Sequence, residues 1–515
     1  MFRIFSMFSA LSVAQPGALQ VPRAMMKPLR YSIVLPVAAF YLYLSGSAPF
    51  LGQWDSYDYL KQIATHQLSA LGIGRPVFVG YNILLWESAK KVFGLEPTKV
   101  EAVAMAGTVL LGVLGIILFQ RLSRRFLQPP ASQMAAVALA LSPVYAVYSG
   151  FVMTEVPMLV ALLASALVLW KPRPRHPDAS DILGGILFGL AVGIREQALM
   201  LGAAFIWILC SRSRHGPSRL RSTALFGISA AAIILAPAAF FYFHDQTGFM
   251  ERTRVWFRAI PTGGTQFRSN VQASVLYTLA VCPGAWFAAA GAGLYSAFRR
   301  WIFRGRPVAQ GSTGGNLPAL IPNPVSGTIA CLVVPMAFLW RDADVQMHPR
   351  YLLAALPGSL IFCVCLYQRW FPSRRGPMIW AAVQILIFGL ALAALSPYRQ
   401  TQTGKMEFAR MMRDSIPDEG LLIAGNLSPI LDYYRGIGVR PRWQILWAGW
   451  EWNVRSAETA VRRAWADGIP VYLSKNPSGW SYFETEFLDL HFLLKDCRQE
   501  PVAPMLYRVY PARNE

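Results

Sequence analysis

Runs of about 20 apolar residues recur along this chain, and no other feature limits its fold so strongly. Tyr31–Leu51, Val100–Gln120, Thr223–Phe243 and Val271–Phe298 each approach the length a helix needs to cross hydrocarbon. A helix pairs its own backbone groups, so in lipid such runs read as membrane-spanning helices. Composition agrees: 54% of the 515 residues are hydrophobic and 15% are charged, against roughly a quarter charged in soluble domains. A soluble protein this apolar would lack the polar surface to cover itself. Reading apolar runs as crossings gives eleven, at about 31–51, 100–120, 131–150, 154–170, 182–194, 197–210, 222–243, 271–296, 324–340, 351–367 and 377–396.

A net charge of +21 would suggest nucleic acid in a soluble chain, so the position of the charges decides its meaning. With the amino end in the cytoplasm, the internal segments hold 21 basic residues, opposed only by Asp178 and Asp181. The richest are Arg121–Arg125, Lys171–Arg175, Arg212–Arg221 and Arg299–Arg306. Residues 397–515 carry 14 acids and 15 bases. This is the positive-inside pattern, and it excludes nucleic acid as the partner. Membrane lipids are the partner it implies.

Three regions follow: a cytoplasmic segment 1–30, a membrane region 31–396 with a large first external loop 52–99, and an external domain 397–515. The first 24 residues are ambiguous, since Phe5–Val13 is too short to span and Met25 or Met26 is an alternative start. In the last region, Leu421–Ala424, Val471–Ser474 and Met505–Tyr510 read as strands, and Gly404–Asp414 and Ala457–Asp467 as helices. That makes a small α/β domain. Pro307–Pro324 is a flexible connector. The six cysteines give neither a disulfide framework nor a zinc spacing.

The weak place is Ile182–Cys210. Both flanks are basic, so an even number of crossings separates them, yet each arm has only 13 or 14 residues. At about 1.5 Å per residue that is roughly 20 Å, short of the hydrocarbon thickness. Arg195-Glu196 at the apex would lie below the surface, tolerated only against protein or a wet cavity. The pattern favours a mutual ion pair over a substrate contact.

Chemistry concentrates in the first external loop, which opens Trp54-Asp55-Ser56-Tyr57-Asp58-Tyr59-Leu60. Asp55 and Asp58 share a face of a helix, where a carboxylate can assist removal of a hydroxyl proton during group transfer; a helix cap and a solvated acid are the plainer reading. Arg75 precedes Pro76, which favours a helix start, and a guanidinium suits a phosphate; attraction to lipid headgroups is the plainer alternative. Glu155 opens the fourth crossing, where the macrodipole favours an acid. Asp342 and Asp344, before Arg350-Tyr351, have no third ligand in view and make thin ground for a metal.

Taken in order, Asp55-Ser-Tyr-Asp-Tyr-Leu, Arg75-Pro, Gly80-Tyr81, Phe93-Gly94, Glu155-Val-Pro157, Gly185-Ile-Leu-Phe-Gly-Leu-Ala-Val-Gly-Ile-Arg195, Arg350-Tyr-Leu-Leu and Leu356-Pro357 resemble the GT-C superfamily. The branch is that of protein O-mannosyltransferases and lipid A aminoarabinose transferases, and the likeness covers about residues 31–360. The resemblance implies transfer of a sugar, on the non-cytoplasmic face of a membrane such as the bacterial plasma membrane, from a polyprenyl- or dolichyl-phosphate carrier to a glycan, lipid or protein hydroxyl. It implies Asp55 as base or acceptor-positioning group, Arg75 and Arg350 on the phosphate, Tyr351 beside Arg350, and Glu155 lining the cavity with Arg195 in reach. Asp58 departs from relatives whose paired acids are adjacent. Inversion at the anomeric carbon without a metal or other cofactor is the expected course, although some branches use a divalent cation.

Two other classes remain. A secondary transporter or flippase also has broken helices and intramembrane charge, but it usually shows internal repeats, and none is found. A non-catalytic scaffold would have lost the equivalents of Asp55 or Arg75, and both are present.

Overall fold

Glycines and prolines punctuate the helices where backbone chemistry demands. The computed structural model describes residues 31–47, 55–69, 72, 75–170, 177–212, 216–244, 248–251, 253–254, 282–302, 349–424, 427–446, 454–475, 494 and 497–511. The helices are α1 (Tyr31–Ser45), α2 (Asp55–Thr65), α3 (Pro76–Phe93), α4 (Val100–Ser123), α5 (Ala131–Ala140), α6 (Pro143–Tyr148), α7 (Glu155–Leu169), α8 (Pro177–Ile194), α9 (Gly202–Arg212), α10 (Gly216–His244), α11 (Pro283–Ile302), α12 (Leu356–Trp370) and α13 (Gly376–Ser415). Short 3₁₀ segments at Glu196–Leu201 and Pro349–Ala355 lead into α9 and α12. In α3, Pro76 stands at the first helical position and Gly94 closes the helix in the left-handed region, with φ 63°, as an unstrained C-cap requires.

Four segments are long and apolar enough to cross a membrane: Pro97–Ser123, Ser218–Pro237, Leu353–Trp370 and Gly376–Ser396. Shorter apolar helices lie at Ile33–Ser45, Ala131–Ala140, Glu155–Leu169 and Glu196–Cys210. The chain is an integral membrane protein built mostly of helix. Several expected crossings are broken. Pro143 divides the third into α5 and α6, and the sixth is a 3₁₀ turn followed by only 11 helical residues. The ninth, at 324–340, the loop with Asp342 and Asp344, and the connector 307–324 lie outside the described residues.

Close helix contact explains the glycines of the 185–195 motif. A Cβ on Gly185 would sit 2.3 Å from the Phe226 carbonyl oxygen, and one on Gly189 2.6 Å from that of Ala230. Small residues at four-residue spacing let α8 approach α10 backbone to backbone, the packing device of membrane helices. These glycines serve packing.

The last apolar stretch ends at Ser396, as expected, but its helix does not. It continues as one 40-residue helix to Ser415, absorbing the separate helix expected at Gly404–Asp414. Beyond it, β1 (Glu419–Ile423), α14 (Ser428–Gly436), β2 (Arg442–Leu446), α15 (Val454–Ala466), β3 (Val471–Ser474), β4 (Arg498–Ala503) and β5 (Leu506–Tyr510) form an α/β unit. Its sheet has the order β2-β1-β3-β5-β4. β1 runs parallel to β2 and β3, whereas β5 is antiparallel to β3 and β4. α15 and one sheet face bury Leu421, Ile423, Val461 and Val471. The other face shares a core with α2, α3 and the protruding end of α13, through Leu422, Tyr57, Phe78 and Met412. The loop helix is therefore clamped between membrane region and α/β unit.

Candidate active site

The site forms where five segments begin or bend. Asp55 opens α2 and Glu155 opens α7. Arg75 caps α3 with non-helical φ −138° and ψ 40°. Arg195 is extended, at φ −156° and ψ 120°, between α8 and the 3₁₀ turn of Glu196. Arg350 lies in the 3₁₀ turn before α12. Helix amino-terminal ends carry partial positive charge from unpaired N–H groups, so the convergence of α2 and α7 favours anions.

The side chains interlock. Arg195 Nη1 reaches Glu155 Oε1 at 2.7 Å and donates to Thr154 Oγ1 at 2.7 Å, while its Nε donates to Gln197 Oε1 at 2.7 Å. Arg350 Nε lies 3.2 Å from the same Glu155 oxygen. Asp55 Oδ2 lies 3.9 Å from Arg75 Nη1 and 3.7 Å from Arg350 Nη2. Arg75 Nε completes the weave at 3.5 Å from Glu196 Oε2. Three arginines thus face three carboxylates. Arg195 and Glu155 are fully buried, whereas the Asp55 side chain keeps 13% of its surface and that of Glu196 37%.

Arg195 and Glu196 do not form the ion pair with each other that their adjacency suggested. The extended backbone at Arg195 sends consecutive side chains to opposite sides, as in a strand. Arg195 therefore reaches Glu155, and Glu196 is engaged by Arg75.

Asp58 lies off the arginine cluster. Its Oδ2 accepts from Gln62 Nε2 at 2.7 Å and from the Ser69 hydroxyl at 2.6 Å. The Gly72 N–H donates to Ser69 Oγ at 3.3 Å, and the Gly72 carbonyl accepts from the Arg75 N–H at 2.9 Å. Asp58 thereby ties the loop that carries Arg75 to α2. Burial pushes its carboxyl up to about 6, although the Ser69 hydrogen bond and Lys61 act in the opposite direction.

Tyr59 was not foreseen as a site residue. Its hydroxyl accepts a hydrogen bond from Arg75 Nη1, and its ring centroid lies 5.7 Å from the guanidinium carbon. Its position one helical turn after Asp55 is the signal that marks it. Thr154 and Gln197, neighbours of Glu155 and Glu196, were likewise missed. The side chain of Tyr351 lies outside the described residues. No group of three potential metal ligands occurs among the described residues.

An apolar groove of about 620 Å³, counted to its open mouth, lies between α4, α7, the 3₁₀–α9 segment and α12. Three of its walls belong to segments that bear Glu155, Glu196 and Arg350, whereas α2 and α3, with Asp55 and Arg75, do not line it. Leu159 is one turn from Glu155, Ala354 about one turn from Arg350, and Leu201 ends the turn that Glu196 begins. It extends to Trp170 at the opposite end of α7, and the 11 residues from Leu159 correspond to roughly 16 Å.

Residues 83–241 match the family model of dolichyl-phosphate-mannose-protein mannosyltransferases. No curated protein matches the sequence. Among solved structures, ArnT from Cupriavidus metallidurans bound to undecaprenyl phosphate matches with TM-score 0.61 and 13% identity, over 93% of this chain and 97% of that one. Its apo state matches with TM-score 0.53 and 14% identity over the same shares. The fold is that of the GT-C membrane glycosyltransferases, and the family-model match bears out the likeness to that superfamily read from the sequence.

Proposed function

We propose that the chain transfers a sugar from a polyprenyl- or dolichyl-phosphate carrier to an acceptor hydroxyl, on the extracytoplasmic face, by direct inverting displacement. The observation that carries this reading is a cluster of three arginines, with one carboxylate shared between two of them, beside an apolar groove whose nearest lining residues lie about one turn from Glu155 and Arg350. A lipid phosphate has the same two-part character, an isoprenoid tail and an anionic head. The bound undecaprenyl phosphate of ArnT supports the assignment.

Arg75 and Arg350 hold the phosphate and stabilise the charge that grows on it as the sugar leaves. Asp55 is the base. A carboxylate is too weak a base to ionise an alcohol beforehand; Asp55 accepts the proton as the new bond forms. Direct attack opposite the phosphate gives inversion and no covalent enzyme intermediate. Glu155, fully buried between Arg195 and Arg350, positions the arginines, and Asp58 positions the loop of Arg75. Each acid of the cluster already faces a guanidinium, a donor set poorly suited to a cation, so the displacement proceeds without a metal. The acceptor is a glycan, lipid or protein hydroxyl.

The test is incubation of purified protein with polyprenyl-phosphate sugars and candidate acceptors. Release of free lipid phosphate, lost in Arg75→Ala, is the expected result. Movement of the intact lipid-linked sugar across a proteoliposome, without cleavage, would establish the flippase reading instead.

A further inference from the structure

One oxygen, Asp55 Oδ2, faces both Arg75, at 3.9 Å, and Arg350, at 3.7 Å. Each of these arginines has another acid beside it, Glu196 for Arg75 and Glu155 for Arg350. Asp55 Oδ2 lies within 4.0 Å of both. Its two contacts exceed hydrogen-bond length, unlike the 2.7 Å contact of Arg195 with Glu155. They are ionic and do not commit the arginine N–H donors to Asp55.

We infer that Arg75 and Arg350 serve the base and the leaving group in turn: protonation of Asp55 hands their positive charge over to the departing phosphate. The inference rests on the transferase reading above. Before reaction the donor phosphodiester carries one negative charge, Asp55 another, and the acceptor hydroxyl none. The acceptor oxygen forms the new bond to the anomeric carbon with a lone pair. The bond from that carbon to the phosphate oxygen breaks, and its electron pair stays on the phosphate. The acceptor proton moves to Asp55. Afterwards the glycoside is neutral, Asp55 is neutral and the phosphate monoester carries two negative charges. The total remains minus two, so the charge facing the two guanidinia is unchanged throughout and no ion need enter or leave. Glu155 and Glu196 remain ionised and hold the arginines in place.

This arrangement makes Asp55 a competitor of the phosphate as well as its partner, and binding reveals the competition. The probes are undecaprenyl phosphate and uncharged undecaprenol, titrated against the full chain in nanodiscs, with folding verified by thermal melting. Asp55→Asn should bind undecaprenyl phosphate at least about tenfold tighter than the wild type, the effect of removing a like charge roughly 6 Å away at an effective dielectric near 20. Undecaprenol affinity should not change, and turnover should collapse. Asp55→Ser provides a second neutral variant should the first not fold.

Equal or weaker phosphate binding by the Asp55 variants, with binding lost in Arg75→Ala and Arg350→Ala, would overturn the hand-over and leave the transferase reading intact. Tightening for both probes would also overturn it, by indicating a loosened loop. Wild-type phosphate affinity in both arginine variants would remove the phosphate site itself, and the transferase reading with it.

Discussion

Replacing Glu155 with Gln separates an acid that builds the site from one that does chemistry. Glu155 has no exposed surface, and its Oε1 faces Arg195 at 2.7 Å and Arg350 at 3.2 Å. At an effective dielectric of about 20, unit charges about 3 Å apart attract by roughly 5 kcal/mol, offset by the cost of taking each ion from water. The net value of the pair is small, yet removing one partner is costly, because a buried charge is left uncompensated. Measured losses are about 3–5 kcal/mol. Glu155→Gln preserves shape but leaves two guanidinia with one fewer counter-ion, so it should lose stability in that range. Asp55→Asn removes a carboxylate whose two ionic contacts, at 3.7–3.9 Å, exceed hydrogen-bond length and should cost less stability than Glu155→Gln, while turnover falls by about 10²–10⁴. Thermal melting and turnover of both variants in one detergent give the comparison. A Glu155→Gln protein as stable as the wild type would refute the structural assignment.

Arg75→Lys should retain partial transfer, keeping charge but losing the paired donors, and Arg75→Ala should retain none; donor turnover and lipid-phosphate affinity read both. Asp58, with its carboxyl raised from 3.8 to about 6, favours the folded state when protonated. Its contribution is therefore full below about pH 4 and lost as pH rises through about 6, up to about 3 kcal/mol. Asp58→Asn should match the wild type in melting temperature near pH 4 and exceed it increasingly up to pH 6; a constant offset across that window would contradict the assignment. Asp432→Asn weakens the pairing of α14 with Lys61 of the loop helix, so it should lower turnover more than lipid-phosphate affinity. A reporter fused after Ser415 should read as extracytoplasmic, and one within Ser211–Arg221 as cytoplasmic; the opposite compartments would reverse the membrane orientation.

The class of the fold and the members of the site were largely legible, because both are written in residue type. Apolar runs declare spans wherever they lie. Arginine or aspartate at a helix head beside proline is conspicuous against so apolar a background, and Asp55, Arg75, Glu155, Arg195 and Arg350 do meet. Their pairing was not legible. Adjacency suggested Arg195 with Glu196, but one extended residue parts them, and such a bend leaves no periodic trace. Asp58 looked equivalent to Asp55 by spacing, yet the partner that turns it away is Ser69, which the sequence does not mark. β2, β4 and α14 escaped notice for a related reason: strands such as Arg442–Leu446 owe their burial to neighbours distant in the chain.

The unbroken α13 gives the α/β unit a mechanical role. Forty residues make roughly 60 Å of helix, about twice the hydrocarbon thickness, so nearly half of it extends as a post beyond the apolar stretch Gly376–Ser396. Met406, Phe408, Ala409 and Met412 on that post are buried in the core that also contains Tyr57 and Leu60 of the loop helix. The Tyr57 hydroxyl donates to the Met406 sulfur at 3.3 Å, and one turn further along the same face of α2 Lys61 pairs with the buried Asp432 of α14. The helix that begins with Asp55 is therefore held along one face by two supports. One support is continuous with the last crossing, and the other lies in a unit that post carries. Arg350 comes from a different part of the membrane region. On the transferase reading proposed above, base and phosphate clamp would sit on separate segments and need a common frame to hold their spacing, since losses of alignment of about 1 Å are costly to group transfer. The post supplies that frame, referring the position of Asp55 to the same bundle that holds Arg350.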